Sequence, residues 1–138
     1  MRLDAMKRAS VRSVLDNPQP DKYYYVLVTR YVPIENRRRG IPLLKEKGGI
    51  YDVWDRNLAP SPRLLHWWKA GPRTRERWSE YERRFREEVP DAIYRLTRHE
   101  QAARAKGKEV VLVCEEEDYE YPYCHTFILL DIAKSMAK

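Results

Sequence analysis

Apolar positions along the chain fall into two patterns, short continuous runs and repeats at helical spacing. Residues 23–29 are all aromatic or β-branched apart from Leu27, which predicts a central β-strand. Residues 109–113 form a second short segment that is apolar after Glu109, typical of a strand covered on both faces. A weaker alternation over residues 10–15 predicts a third strand, which the prolines at positions 18 and 20 would end.

The middle and the end of the chain have the pattern of helices. Trp78, Tyr81 and Phe85 recur at three- and four-residue spacing, so they share one buried helix face. Pro90 and Gly107 are natural stop signals for the second and third helices. The residues predicted to cap or begin the four helices are Ser61 with Pro62, Thr74, Asp91 and Cys124.

These elements together predict one α/β domain over residues 1–138, with a small, mostly parallel sheet covered by helices in Rossmann-like layers. A long basic loop is predicted over residues 34–49. Loops of that length in a small domain are usually functional or mobile. We find no internal repeat and no low-complexity segment.

Charge is unevenly distributed. The net charge is +6, but residues 115–120 hold five acids in six positions, and the remainder therefore carries +11. A basic body with an acidic loop at one end could attract a polyanion or a metal ion. The simpler interpretation is that the lysines and arginines are solvated helix faces.

Composition also bears on the cellular compartment. There is no run of about 18 apolar residues, which a membrane span would need, and Asp4 interrupts any signal-peptide core. We therefore expect a cytoplasmic protein without membrane contact, whose two cysteines are free thiols or ligands. The charged fraction of 35%, with three Asn and two Gln, is typical of thermophiles, where intracellular disulfides occur. The sequence is therefore also compatible with a disulfide between Cys114 and Cys124.

The candidate site lies where strands are predicted to end. Cys114 and Glu116 follow the second strand, Cys124 and His125 begin the last helix, and Arg30 follows the first strand. Ligands bind beyond the carboxyl ends of the strands in open α/β sheets, so these side chains are expected to share one rim. A helix N-terminus favours anions and would favour the thiolate of Cys124. A nucleophilic cysteine or an anion-binding pocket fits this chemistry.

Landmarks in order along the chain resemble a known family. They are residues 27–33 (Leu-Val-Thr-Arg-Tyr-Val-Pro), Trp54 with Leu58–Ala59–Pro60–Ser61, and residues 78–88 (Trp-Ser-Glu-Tyr-Glu-Arg-Arg-Phe-Arg-Glu-Glu). They are similar to the bacterial and archaeal family called domain of unknown function 488, over about residues 10–137. Cys114, Glu116 and Cys124-His125 match that family's Cys-x-Glu and Cys-His-Arg positions, while Thr126 stands where the pattern has arginine. The resemblance implies a fold and a site location, since the family has no assigned activity.

Each candidate residue also has a structural interpretation. Cys114 could be a small core residue, Cys124 and His125 could cap or pack, and Arg30 could pair with the acidic loop. A zinc site from Cys114, Cys124, His125 and a carboxylate is chemically possible, but the spacing matches no standard zinc signature, so none is predicted. Nucleotide-binding and hydrolase motifs such as GxGxxG, HExxH and GxSxG are absent from the sequence.

The sequence therefore favours a small enzyme that acts on a phosphorylated or nucleotide-like ligand. Cys124 would be the nucleophile or anion site, His125 the acid/base and Arg30 the anion clamp, beside Cys114 and Glu116. The alternative is a nucleic-acid-binding accessory protein that uses Arg37, Arg38 and Arg39 of the basic loop. Assembly through a self-complementary apolar patch is a third class. Reaction, cofactor and oligomeric state stay open.

Overall fold

The computed structural model describes residues 3–136 and has a four-stranded sheet at its centre. The strands are β1 (Lys7–Ser10), β2 (Tyr23–Leu27), β3 (Val53–Trp54) and β4 (Glu109–Cys114). Their order is β1-β4-β2-β3, and every pair is parallel. The predicted parallel α/β fold is confirmed, and β2 and β4 are the two inner strands.

Six α-helices surround the sheet in the described part of the chain. They are α1 (Val11–Asp16), α2 (Ile34–Arg39), α3 (Pro62–Lys69), α4 (Arg75–Glu88), α5 (Ala92–Ala105) and α6 (His125–Met136). The predicted caps of α3 and α4 are present, since the side chains of Ser61 and Thr74 accept hydrogen bonds from Leu64 N and Arg77 N. Asp91 precedes α5 as predicted, but its side chain makes no capping bond there.

Both faces of the sheet are buried, as continuous apolar strands require. Val110 and Leu112 of β4 pack into a large cluster with α3–α6, while Val111 and Val113 pack into a smaller cluster with α1. Trp78, Tyr81 and Phe85 of α4 belong to the large cluster, which confirms their predicted inward stripe. Helices on both sides therefore hold the strand ends at fixed positions.

Two predictions of local structure were wrong. Residues 10–15 were predicted as a strand, but β1 ends at Ser10 and α1 follows directly. Ser10 Oγ accepts a hydrogen bond from Ser13 N at 3.0 Å, so this residue caps a helix whose buried Val11 and Val14 lie one turn apart. Residues 34–49 were predicted as one loop, but they contain α2 and a short 3₁₀ turn at Lys45–Lys47.

Candidate functional site

The carboxyl ends of β1, β4 and β2 lie at one edge of the sheet. Ser10 pairs with Cys114 and Leu27 pairs with Val113, so the three strands end at nearly the same level. The segments that follow β2 and β4 therefore leave the sheet side by side. The amino end of α6 returns to this edge, where Cys124 and His125 are buried.

A cavity of about 330 Å³ opens at this edge. Its lining includes the five side chains that the sequence placed in a pocket, namely Arg30, Cys114, Glu116, Cys124 and His125. The other lining residues are Thr29, Tyr31, Pro60, Leu65, Trp68, Lys69, Gly71, Arg73, Trp78, Tyr81, Glu115 and Tyr123. The volume lies at the lower end of the range of small-molecule sites. Arg37, Arg38 and Arg39 are not part of this lining.

The two cysteines meet at the floor of the cavity. Both are free thiols, and their Sγ atoms lie 3.0 Å apart. Thr126 Oγ1 lies 3.4 Å from the sulfur of Cys114 and 3.1 Å from that of Cys124. The pair is almost fully buried, with Cys114 at 0% and Cys124 at 2% exposure. Both sulfurs line the cavity, which gives reagents a route to them.

Arg8 of β1 lies against the thiol pair, and sequence reasoning missed it. Its Nη2 donates to Cys114 Sγ at 2.8 Å and to the carbonyl oxygen of Glu116, and its Nε donates to Thr126 Oγ1 at 3.2 Å. Its Nη1 pairs with Asp118, and the Arg8 side chain is only 4% exposed. A guanidinium thus contacts Thr126, the residue that stands where the resembled pattern has arginine.

The positive charge of Arg8 persists despite its burial. Burial opposes the charge, but Cys114, Cys124 and Asp118 outweigh it and raise the pKa of Arg8 above the ordinary arginine value. Burial also raises the pKa of Cys114 well above that of a free thiol, and the contact with Cys124 adds to this rise. The charge of Arg8 lowers the pKa of Cys114 but does not cancel this rise. Cys114 therefore holds its proton.

The imidazole of His125 is oriented by the backbone. Its Nε2 lies 2.8 Å from the carbonyl oxygen of Val28, which continues from β2. A carbonyl oxygen only accepts, so Nε2 carries hydrogen in this contact and Nδ1 of the neutral ring has a free lone pair. Nδ1 lies 3.9 Å from Cys124 Sγ, a loose contact that suits acceptance of the thiol proton.

Arg30 lies on the cavity wall and is held there by carbonyl oxygens. Its Nε donates to Pro60 O at 2.9 Å, and its Nη2 donates to Arg56 O at 3.2 Å and Ala59 O at 3.3 Å. These bonds fix the guanidinium against the turn before α3. Within residues 3–136, its Nη1 makes no hydrogen bond and can contact a ligand. Within the described residues, Arg30 makes no salt bridge with the acidic loop.

Aromatic side chains form the wall of the cavity that α3 and α4 supply. The Trp78 and Tyr81 rings stack with centroids 4.4 Å apart, and Trp68 meets Trp78 edge-on at 4.9 Å. Tyr123 packs against both tryptophans at 5.6 and 5.7 Å. Lys69 and Arg73 also line the cavity and add positive charge, although Arg73 pairs with Glu120. Flat apolar ligand groups suit this surface.

The three arginines of the alternative site lie in the last turn of α2. Arg38 and Arg39 donate to the carboxylate of Glu35 at 2.8 and 2.9 Å, and Arg39 also pairs with Asp16. Much of the charge that would contact phosphates is therefore already matched within the protein.

A metal at the thiols is the remaining chemical option. Cys114, Glu116 and Cys124 carry ligand atoms that all lie within 4.8 Å of one another. Arg8, however, already presents a cation to Cys114 at 2.8 Å. A divalent ion there would meet like charge and would compete with the guanidinium for the same sulfur, so the residues fit an anionic sulfur better than a metal.

Comparison with known proteins gives one finding. The family model described as DUF488-N3a, Active DUF488-N3 subclade, matches residues 9–137. No curated protein and no solved structure matches the chain. Among residues 3–136, each helix is too short or too polar to cross a membrane.

Proposed function

This chain belongs to the DUF488 family, in the subclade described as active DUF488-N3, and from that premise we propose that it is a cysteine-dependent enzyme. The observation that carries the proposal is the position of Cys124. Its thiol opens into a cavity of about 330 Å³ and has His125 Nδ1 at 3.9 Å. A nucleophile beside an oriented base is the arrangement that covalent catalysis needs.

The proposed step starts with proton transfer from Cys124 to Nδ1 of His125. The sulfur electron pair then forms a bond to an electrophilic atom of the ligand, and the bond from that atom to the leaving group breaks. The proton on Nδ1 passes to the leaving group. The bond to Val28 O keeps the imidazole aligned through both transfers.

Arg8 supports this step electrostatically. It lies behind Cys114, which in turn lies 3.0 Å from Cys124. A fixed cation this close to two sulfurs in a water-poor site favours negative charge on the sulfur pair. Cys124 is the sulfur of the pair that has a base beside it, with His125 Nδ1 at 3.9 Å, so we assign the nucleophile to Cys124.

The ligand class follows from the wall. Trp68, Trp78 and Tyr123 line the cavity with aromatic surface that suits a flat ring, and Arg30 and Lys69 add positive charge to the same lining. A nucleotide-like ligand combines a flat ring with an anionic group. Glu115 and Glu116 also line the cavity, and they favour a small ligand with one anionic group over an extended polyanion.

Alkylation tests the nucleophile. We expect iodoacetamide, with reductant present, to modify Cys124 more than about tenfold faster than Cys114. Burial raises the pKa of Cys114, and each unit of that rise lowers its thiolate fraction about tenfold. Peptide mapping after partial labelling gives the two rates. His125→Gln, which retains a donor for Val28 O but lacks the base, should slow labelling near neutral pH.

Ligand protection tests the substrate class. Adenosine monophosphate and inorganic phosphate are the probes of this test. In the alkylation test, His66→Gln on α3 is the matched control for His125→Gln. We expect the nucleotide to slow alkylation of Cys124 and phosphate alone to do so weakly. Equal, slow labelling of both cysteines with no protection by either probe would overturn the proposal.

Nucleic-acid binding through Arg37, Arg38 and Arg39 is the weaker function. Arg38 and Arg39 pair with Glu35 and Asp16, and within the described residues Arg37 makes no salt bridge. Five acids in residues 115–120 also repel a strand that approaches the cavity.

A further inference from the structure

The two thiols are placed for chemistry beyond a single nucleophile. The Sγ atoms of Cys114 and Cys124 lie 3.0 Å apart, and a disulfide needs about 2.05 Å, so a movement of about 1 Å would join them. We propose that Cys114 and Cys124 are a redox-active dithiol, which closes to a disulfide when a hydroperoxide enters the cavity. The proposal does not depend on the ligand or reaction of the proposed function.

Access assigns the order of events. Both cysteines line the cavity, but Cys124 is at the amino end of α6 with His125 Nδ1 at 3.9 Å, whereas Cys114 ends an inner strand at 0% exposure. Cys124 therefore meets the oxidant first. Burial, which keeps the proton on Cys114, makes that residue the slower first nucleophile and the natural resolving thiol.

Both steps of the oxidation conserve atoms and electrons. The sulfur of Cys124 attacks one peroxide oxygen, the O–O bond breaks, and the products are a sulfenic acid and water when hydrogen peroxide is the oxidant. The sulfur of Cys114 then attacks the sulfur of Cys124 and releases a second water. The two thiols lose two electrons and two protons in total, and the peroxide is reduced. A thiol reductant reverses the change by exchange.

Arg8 is a positioning residue for the second step. Its Nη2 holds Cys114 Sγ at 2.8 Å, and its bonds to Thr126 and the carbonyl oxygen of Glu116 fix the guanidinium. As Cys114 attacks, its sulfur loses a proton, and the adjacent cation favours the thiolate. The first step takes place at Cys124, which Arg8 does not contact directly.

Oxidation of the full-length reduced protein by hydrogen peroxide tests the dithiol. After the oxidant is removed, the protein is unfolded and its thiols are titrated. We expect both thiols to disappear, the intact mass to fall by two hydrogen atoms, and a peptide map to join Cys114 to Cys124 within one chain. Dithiothreitol should restore both thiols and the original mass.

Single variants separate the steps. In Cys114→Ser, Cys124 should stop at the sulfenic acid, which dimedone traps; in Cys124→Ser, Cys114 should stay largely unmodified. Arg8→Met should slow the first oxidation of Cys124 and, once the sulfenic acid has formed, leave a larger share of it to dimedone and a smaller share to the disulfide. A merely structural Arg8 would not change the partition between trapped sulfenic acid and disulfide.

Three results would overturn the proposal. They are two titratable thiols after oxidation of the wild type, over-oxidised Cys124 without a disulfide, and disulfide-linked dimers in place of an internal bond. The wild-type measurement decides the matter even if a variant fails to fold. Because the alkylation test is run with reductant present, a failure of the dithiol leaves the proposed nucleophile intact.

Discussion

Two buried clusters of this molecule contain a histidine and a charged partner, but they are built in opposite ways. At Asp55, beyond the end of β3, the carboxylate meets His99 Nε2 at 2.7 Å, Arg95 at 3.5 Å and Asn57 N at 3.0 Å. At the thiols, Arg8 donates to Cys114 Sγ, which lies 3.0 Å from Cys124 Sγ, and its carboxylate partner Asp118 has an 84% exposed side chain.

The difference lies in how charge is matched. The Asp55 carboxylate is surrounded by donors on both oxygens, and the cluster joins α5 to the turn after β3, so it serves the fold. The cation at the thiols faces groups that are neutral when protonated, beside a cavity of about 330 Å³. Such a cation favours any state in which a sulfur becomes negative. Removing one group at a time tests this contrast.

Loss of the Asp55 carboxylate should have the largest effect on stability. Asp55→Ala leaves His99 without its buried carboxylate partner, while Arg95 keeps its ion pair with Asp91. Breaking a buried pair costs about 3–5 kcal/mol in the free energy of unfolding. Urea denaturation measures the loss. Asp55→Asn is the matched variant that keeps the shape and one acceptor, and it should lose less. A cost below about 1 kcal/mol for Asp55→Ala would show that the cluster does not hold α5.

Acid should destabilise the same cluster. Burial opposes ionisation of Asp55, but His99 and Arg95 outweigh it and hold the pKa of Asp55 below its ordinary value. The folded state therefore binds protons less readily than the unfolded state. The stabilisation is complete above the unfolded pKa of about 4 and is lost as the pH falls through the lower, folded value.

Denaturation at successive pH values measures this loss, and Asp55→Asn should flatten the dependence. Glu80 is the control, since exposed Arg83 and Arg84 lower its pKa to about 2. Solvent screens that pair, so Glu80→Gln should flatten the curve less. An equal flattening by both variants would remove the distinction between a buried and an exposed carboxylate.

Replacement of Arg8 should have an intermediate effect. Arg8→Met keeps the volume of the side chain but removes the donors to Thr126 Oγ1, Cys114 Sγ and Glu116 O. We expect a loss of about 1.5–3 kcal/mol in the free energy of unfolding, the usual contribution of hydrogen bonds to a charged group. The same variant should label more slowly at Cys124. A stability loss with unchanged labelling would make Arg8 purely structural.

Replacement of Cys124 should change stability little and chemistry completely. A serine hydroxyl can bond Thr126 Oγ1 in place of the sulfur, so Cys124→Ser should cost about 1 kcal/mol or less. Labelling with iodoacetamide under reducing conditions should then be confined to slow reaction at Cys114. If Cys124→Ser unfolds the protein as strongly as Asp55→Ala, Cys124 belongs to the core and the contrast between the clusters fails.

The smallest effect is expected on α2. Arg38 and Arg39 are paired at the surface, so replacement of residues 37–39 by alanine should leave the urea midpoint almost unchanged. The slope of log affinity for duplex DNA against log salt should change by no more than about 0.9, one phosphate contact. A change of two to three units would restore the nucleic-acid-binding alternative.

The sequence determined the elements whose signals are local. Residues 23–29 and 109–113 predicted inner strands because β-branched and aromatic runs fit a sheet that is buried on both faces. Ser61 with Pro62 and Thr74 marked the starts of α3 and α4, since capping needs only groups within one turn. Ligands bind beyond parallel strand ends, so the sequence also predicted that Arg30, Cys114 and Cys124 lie together, and all three line one cavity.

Tertiary structure alone decided the rest. β1 has the sequence Lys-Arg-Ala-Ser, with no apolar run, and it is a strand because β4 pairs with it. That pairing delivers Arg8 to Cys114 across more than a hundred residues, a contact that no local pattern encodes. The 3.0 Å approach of the two sulfurs likewise depends on where α6 returns to the sheet. Local preferences select helices and strands, but the packing of distant segments sets which side chains share a buried site.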